Sequence, residues 1–341
     1  MTKIFLSAMA AAAVVFLVAT PSGCGKKEDP GAALKGRAEA LYADGKYDDA
    51  VRFYDKLLVD YPAYAADEEV RDARKRAEGK GLFEAARKLA RSGRNQEAEG
   101  ALREALALAP DDADVNYGVG WVYIETALQY RARGQATKGP ARGDYIALAD
   151  ASADLARERF ERSVKLNPKH WAGYRGMAVY HLYRGDYGDA VEALADAEKY
   201  SKKPEDRIAV ERLRVQVYVD QKKFAQAKEV IDRLVKKYPE RGETYSALAE
   251  YYIGTYYASR RESDVDEAIK ALEVGVTKKF EDRETRNGAY SLLSRLRLSK
   301  GNYDGALSAA KAALAADPFN EVFAEQYAAA WQKKKSAEGR R

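Results

Sequence analysis

Histidine and cysteine are scarce: His170, His181 and Cys24 are the only three in 341 residues. One cysteine cannot close an intramolecular disulfide. With so few histidines and cysteines, a zinc site of the usual ligand types is not expected, nor is another metal or cofactor. Phosphate-loop GxxxxGK[ST], zinc-protease HExxH, CxxC and hydrolase GxSxG patterns do not occur in the sequence. Both histidines fall on or beside one repeated unit described below, and His181 occupies a large-residue position there. That is the place of a packed side chain, not of a base. Paired carboxylates such as Asp48/Asp49 and Asp111/Asp112 sit at turns and helix starts, where capping and the helix dipole account for them. Arg142-Gly143-Asp144 and Arg184-Gly185-Asp186 are RGD triplets; the second is a turn of the repeat, and neither is read as an adhesion motif. These residue types therefore predict no catalytic residues and a chain that is not an enzyme.

The charge pattern points the same way. There are 58 basic and 53 acidic residues, a net charge of +5, with 46% apolar residues. This is a folded composition with charge mixed along solvated helix faces. No basic stripe or nucleic-acid motif accompanies it, so nucleic acid is not an expected partner.

The elements that position these side chains repeat. The clearest copy is KGNYDGALSAAKAALAADP, residues 300–318. Gly301 and Asn302 form a turn, Tyr303 leads into a helix with Ala306, Ala310 and Ala313 inward, and Asp317-Pro318 ends it. A preceding helix carries Leu293 and Leu296. The same small–large–apolar–Pro spacing returns with Ala50, Tyr54, Leu57 and Pro62, with Ala98, Leu102, Ala105 and Pro110, and with Ala156, Phe160, Ser163 and Pro168. It recurs in weaker form around Ala190, Ala227 and Ala268. Small residues let paired helices approach, larger ones fill the space a turn away, and proline stops the second helix.

This pattern resembles tetratricopeptide repeats, helix pairs of about 34 residues. The resemblance implies an all-α, right-handed superhelical solenoid of seven helix pairs. The repeats fall near 31–64, 79–112, 113–170, 171–204, 208–241, 242–283 and 287–320, with a capping helix over 319–333 and a disordered tail at 334–341. Residues 67–79 read as a charged helical spacer. Repeat three carries an insertion, 126–154, with 134–143 (GQATKGPARG) a loop by composition and its flanks extending the helices. Repeat six has seven additional residues in or after its first helix.

In such a solenoid the first helices line a concave face. The repeat register puts Phe83 and Arg87 there from repeat two, and Tyr117 and Trp121 from repeat three. Arg175, Val179 and Tyr183 follow from repeat four, and Arg212 and Gln216 from repeat five. Glu250 and Ile253 come from repeat six, and Arg295 and Leu298 from repeat seven. Aromatic and Arg side chains are what interface hot spots favour, so these thirteen are the candidate contacts for an extended peptide or partner helix. The Lys/Asn clamp of chaperone-tail-binding repeats is not matched: Lys35 stands for its first lysine, but Glu39 replaces the asparagine.

The N-terminus reads as an export signal over 1–23. Lys3 precedes an apolar stretch, 4–19, that is short for a membrane span. Pro21-Ser22-Gly23-Cys24 resembles a bacterial lipobox, departing from it at Pro21, where an aliphatic residue is usual. That resemblance implies a lipid on Cys24, a tether over 24–30 and, with Gly25 following, an outer-membrane anchor facing the periplasm. The whole is then similar to bacterial tetratricopeptide-repeat lipoproteins: non-enzymatic scaffolds binding proteins of an envelope complex, such as outer-membrane assembly or pilus secretion. The alternative is an enzyme, or enzyme subunit, of peptidoglycan metabolism using the insertion, where Arg131, Arg133, Arg142 and Asp144 lie.

Overall fold

The computed structural model describes residues 29–91, 94–281, 283–318 and 320–338. The signal, Cys24 and Phe319 lie outside them. Seven helix pairs and a final helix follow one another. The pairs are α1 (Pro30–Ala43) with α2 (Tyr47–Asp60), α4 (Glu68–Arg91) with α5 (Asn95–Leu108), and α6 (Ala113–Ala136) with α7 (Ala141–Leu166). Then come α8 (Trp171–Arg184) with α9 (Tyr187–Tyr200), α10 (Pro204–Asp220) with α11 (Phe224–Lys237), α12 (Gly242–Ser259) with α13 (Glu262–Gly275), and α14 (Arg283–Ser299) with α15 (Tyr303–Ala316). One turn, α3 (Pro62–Ala65), precedes α4, and α16 (Glu321–Glu338) closes the stack.

The repeated small residue explains the pairing. Ala50, Ala98, Ala156, Ala190, Ala227, Ala268 and Ala306 are all buried, one on the second helix of each pair, where a larger side chain would hold the two helices apart. Each first helix also packs on the first helix of the next pair, from α4 through α6, α8, α10 and α12 to α14. The apolar core is accordingly not one mass but a string of clusters, each shared between neighbours. This is the nearest-neighbour architecture of a solenoid.

Local sequence sets the boundaries. Asp112 caps α6, its side chain accepting from Val115 N at 2.9 Å, and Asn302 caps α15 through Gly305 N. Among the described residues, the turns inside pairs one, three, four, five, six and seven each hold one left-handed residue. Glycine supplies it at Gly45, Gly139, Gly185 and Gly301, while Lys222 (φ 59°) and Arg260 (φ 58°) take the same conformation in pairs five and six, a strained choice for a residue with a Cβ.

Three expectations change. The spacer at 67–79 is not separate: it is the first half of the single long helix α4. The insertion is almost entirely helix, so that the loop expected at 134–143 shrinks to 137–140 between α6 and α7. Buried Ala127, Gly134, Ala149 and Ala153 zip the two extensions together. The tail expected to be disordered from residue 334 is helical to Glu338, held by an ion pair of Lys334 with Asp304 at 2.7 Å.

Candidate functional site

The first helices α6, α8, α10, α12 and α14 present their free faces to one trough. Two adjoining cavities occupy it. The first encloses about 640 Å³ and is walled by Trp121, Trp171, Arg175, Val179, Ile208, Arg212 and Leu213, together with Glu205, Asp206, Glu243, Glu250 and Glu281. The second, about 830 Å³, runs on past Val219, Asp220, Phe224, Ile253, Tyr257, Leu292 and Arg295. Gln216 and Glu250 line both, so the two form one continuous surface across five helices.

Eight of the thirteen register-derived residues meet in this trough: Trp121, Arg175, Val179, Arg212, Gln216, Glu250, Ile253 and Arg295. Their arrangement is preorganised. The Arg175 guanidinium lies 4.7 Å from the Trp121 ring, a cation–π contact, and donates to the Tyr117 hydroxyl at 3.1 Å. Its Nε is buried with no hydrogen-bond acceptor among the described residues, a donor left unspent. Trp121 Nε1 donates to Glu125 at 2.9 Å. Arg212 is engaged by both carboxylate oxygens of Glu250, so the fork that the register offered to a partner is held within the protein. Gln216 donates to Asp220 at 2.8 Å. Burial holds the carboxyls of Asp206 and Asp220 above the ordinary range; a backbone hydrogen bond at Lys203 opposes this for Asp206 and the Gln216 bond for Asp220.

The other five do not line either cavity. Tyr183 is a correction: at 7% exposed it belongs to the core. The extended α6 reaches past the end of α8, where Arg131 covers the Tyr183 ring at 3.4 Å, and its hydroxyl donates to Asp150. Phe83 fills the space that Gly118 leaves on α6. Tyr117 packs among Trp121, Phe160 and His170. Arg87 pairs with Glu84 at 3.8 Å, and Leu298 is half-buried near the end of α14.

The register missed the carboxylates. Glu205, Glu243 and Glu281 recur at a 38-residue interval, each at or just before the start of a first helix. Arg241 lies within ion-pair distance of all three, at 3.9, 3.5 and 3.1 Å. The signal was present in the paired sequences Pro204-Glu205-Asp206-Arg207 and Phe280-Glu281-Asp282-Arg283, but it keeps a period four residues longer than the one being followed. With Asp206 and Glu250, five carboxylates stand here against three guanidiniums, those of Arg175, Arg212 and Arg241. This end of the trough is acidic.

A second constellation has the parts of a hydrolase relay. Ser163 Oγ is 2.7 Å from His170 Nδ1, and His170 Nε2 is 2.8 Å from Asp114 Oδ1. Yet Ser163 is 0% exposed and its hydroxyl is within 2.7 Å of the Ala113 carbonyl oxygen. A substrate cannot reach it. Lys80, on α4, donates to Asp114 at 2.6 Å. The four side chains come from α4, α6, α7 and the residue before α8, and they tie three consecutive pairs together. The His170 hydrogen bond and the Lys80 ammonium hold the Asp114 carboxyl far below its usual range, against burial. Lys80 loses by burial, but Asp114 and Tyr42 more than offset this and keep it charged. His181, Asp186 and Asp189 bring ligand atoms within 4.8 Å of one another, an exposed acidic turn.

The tetratricopeptide repeat model matches residues 9–67, 83–129, 146–206 and 258–321. Among curated proteins the sequence has no match. A tetratricopeptide repeat protein of Parabacteroides merdae is similar over 88% of this chain and 98% of that one, at 13% identity and a TM-score of 0.52. PilF of Pseudomonas aeruginosa is similar over 74% of this chain and 98% of that one, at 16% identity and a TM-score of 0.40. A thermophilic repeat protein of Thermus thermophilus is similar over 60% and 99%, at 20% identity and a TM-score of 0.42. Of these, the first bears on the fold, and on the fold alone. The seven pairs, their buried alanines and the model match over most of the length agree: the chain belongs to the tetratricopeptide repeat family.

Proposed function

We propose that this protein is a scaffold of the bacterial cell envelope, which takes a segment of a partner protein into the trough between α6 and α14. The family and its fold support a protein–protein interaction scaffold. The observation that carries the finer reading is the trough itself: two adjoining cavities built by five successive first helices, with an aromatic and aliphatic floor and an acidic end. Side chains that fit it are basic and apolar. A Lys or Arg of the partner meets Glu205, Asp206, Glu243 and Glu281, and an aliphatic or aromatic side chain lies on Trp121, Trp171 and Ile208. An extended peptide or a helix presents such side chains in a row.

The envelope assignment rests on the N-terminal sequence, where a lipid on Cys24 joined to further acyl chains gives stable anchoring. Both halves have a test. Cys24→Ala is expected to move the protein from the membrane fraction to the soluble fraction; a chain that stays with the membrane contradicts the anchor. Trp121→Ala combined with Arg175→Glu is expected to abolish capture of the partner from solubilised envelopes, with helical content by circular dichroism unchanged. Capture that survives moves the interface to the convex face. Turnover of murein by the purified chain would overturn the scaffold reading altogether.

A further inference from the structure

The inserted half of α7 carries a face that no helix covers. Leu148 is 47% exposed and Leu155 is 38% exposed. At about 100° per residue, Asp144, Leu148, Ala151, Ser152, Leu155 and Arg159 fall on one narrow stripe along α7. The opposite side of the helix, with Ala149, Ala153, Ala156 and Phe160, is buried on α6 and α8. The Ser152 hydroxyl donates back to the Leu148 carbonyl at 2.8 Å, which leaves the middle of the stripe small and without a free donor. Asp144 is exposed and Arg159 half-buried, and neither has an ion-pair partner among the described residues.

We propose that this stripe is the interface of a homodimer, in which α7 of one chain packs antiparallel on α7 of a second copy. The order acid, leucine, small, leucine, base is self-complementary under a two-fold axis between Ala151 and Ser152. That axis sets Leu148 against Leu155 of the other chain and Asp144 against its Arg159, twice over, as an isologous contact requires. The small centre lets the two helices close. A parallel pairing instead sets Asp144 against Asp144 and Arg159 against Arg159, so the charges select the antiparallel one. The stripe is about 22 Å long. A contact of that length buries less than the roughly 800 Å² per partner of a standard interface, so the dimer is reversible and depends on concentration. The stripe lies on α7, a second helix of its pair, and leaves the trough of first helices open.

The test is sedimentation velocity on the full chain in mild detergent, from low micromolar to a few hundred micromolar. The wild-type chain is expected to pass from monomer to dimer. Leu148→Asp with Leu155→Asp should leave it monomeric throughout, with unchanged helical content. Asp144→Arg alone and Arg159→Asp alone should each weaken dimerisation by at least about tenfold, and the two together should restore it. A wild-type chain that stays monomeric overturns the proposal and gives the stripe to a different partner. A dimer that persists in the double leucine variant also overturns it, by placing the contact elsewhere. Loss with either single reversal that the double reversal does not recover overturns the antiparallel register.

Discussion

Lys80 shows how a single side chain fixes the register between repeats. Lys80 as a residue is 8% exposed and its counter-charge is Asp114, one repeat away. Asp114→Asn leaves the Lys80 ammonium buried without its carboxylate, with Tyr42 and Tyr47 beside it. The expected loss is about 2–3 kcal/mol by urea denaturation, below the range for fully buried pairs because the Asp114 side chain is itself half exposed. The pH dependence follows from the direction of the shift. A carboxyl depressed in the folded state contributes stability above its unfolded value, about 3.9, and loses that contribution as pH falls through the folded value. Stability from this group is therefore flat from neutral pH to about pH 5 and declines below about pH 4. The Asn variant is less stable at neutral pH and lacks that acid limb. Equal acid sensitivity in both proteins would show that the tie does not bear on stability. The sequence put His170 on or beside a repeat and gave it no role, and its link to Ser163 and Asp114 joins residues 7 and 56 positions apart. No local pattern encodes such a link.

Between helices, the dominant device is a small residue set under a large one. Phe160 on α7 is clamped between Gly120 on α6 and Gly176 on α8: a Cβ at Gly176 would lie 2.4 Å from the Phe160 ring, and one at Gly120 would lie 2.7 Å from it. Gly176→Ala is expected to destabilise the protein by about 1–3 kcal/mol, the cost of overpacking, despite alanine's better helix propensity. A variant as stable as the wild type would show that the ring has room to move. At this scale the sequence was most readable. The buried alanines from Ala156 to Ala306 recur near the family spacing, the extension of α4 and the insertion stretch the two earlier intervals, and each alanine from Ala50 on gave its pair. Three things were not legible. Composition placed a loop at 134–143, where Gly134 instead faces the Tyr145 and Ile146 side chains across the α6–α7 contact. Tyr183 kept its register position but lost its exposure, because the lengthened α6 brought Arg131 over it. The Glu205, Glu243 and Glu281 series follows a 38-residue interval set mainly by the longer first helices α10 and α12.

For the whole molecule, stacking of first helix on first helix converts these local rules into one surface. The net charge of +5 describes the chain, whereas the trough end between α10 and α14 is acidic. Side chains from five pairs contribute to it, so its chemistry exists only once the solenoid has formed. The trough and the α7 stripe lie on different helices, which lets a scaffold hold a partner and pair with itself independently. The most direct test of the account is the affinity of the captured partner's segment for the wild-type chain and for the Trp121→Ala/Arg175→Glu variant, measured by calorimetric titration. The account predicts that the variant binds about thirtyfold more weakly or worse, the weight of one 2 kcal/mol anchor, while its helical content is unchanged. An unchanged dissociation constant would contradict it.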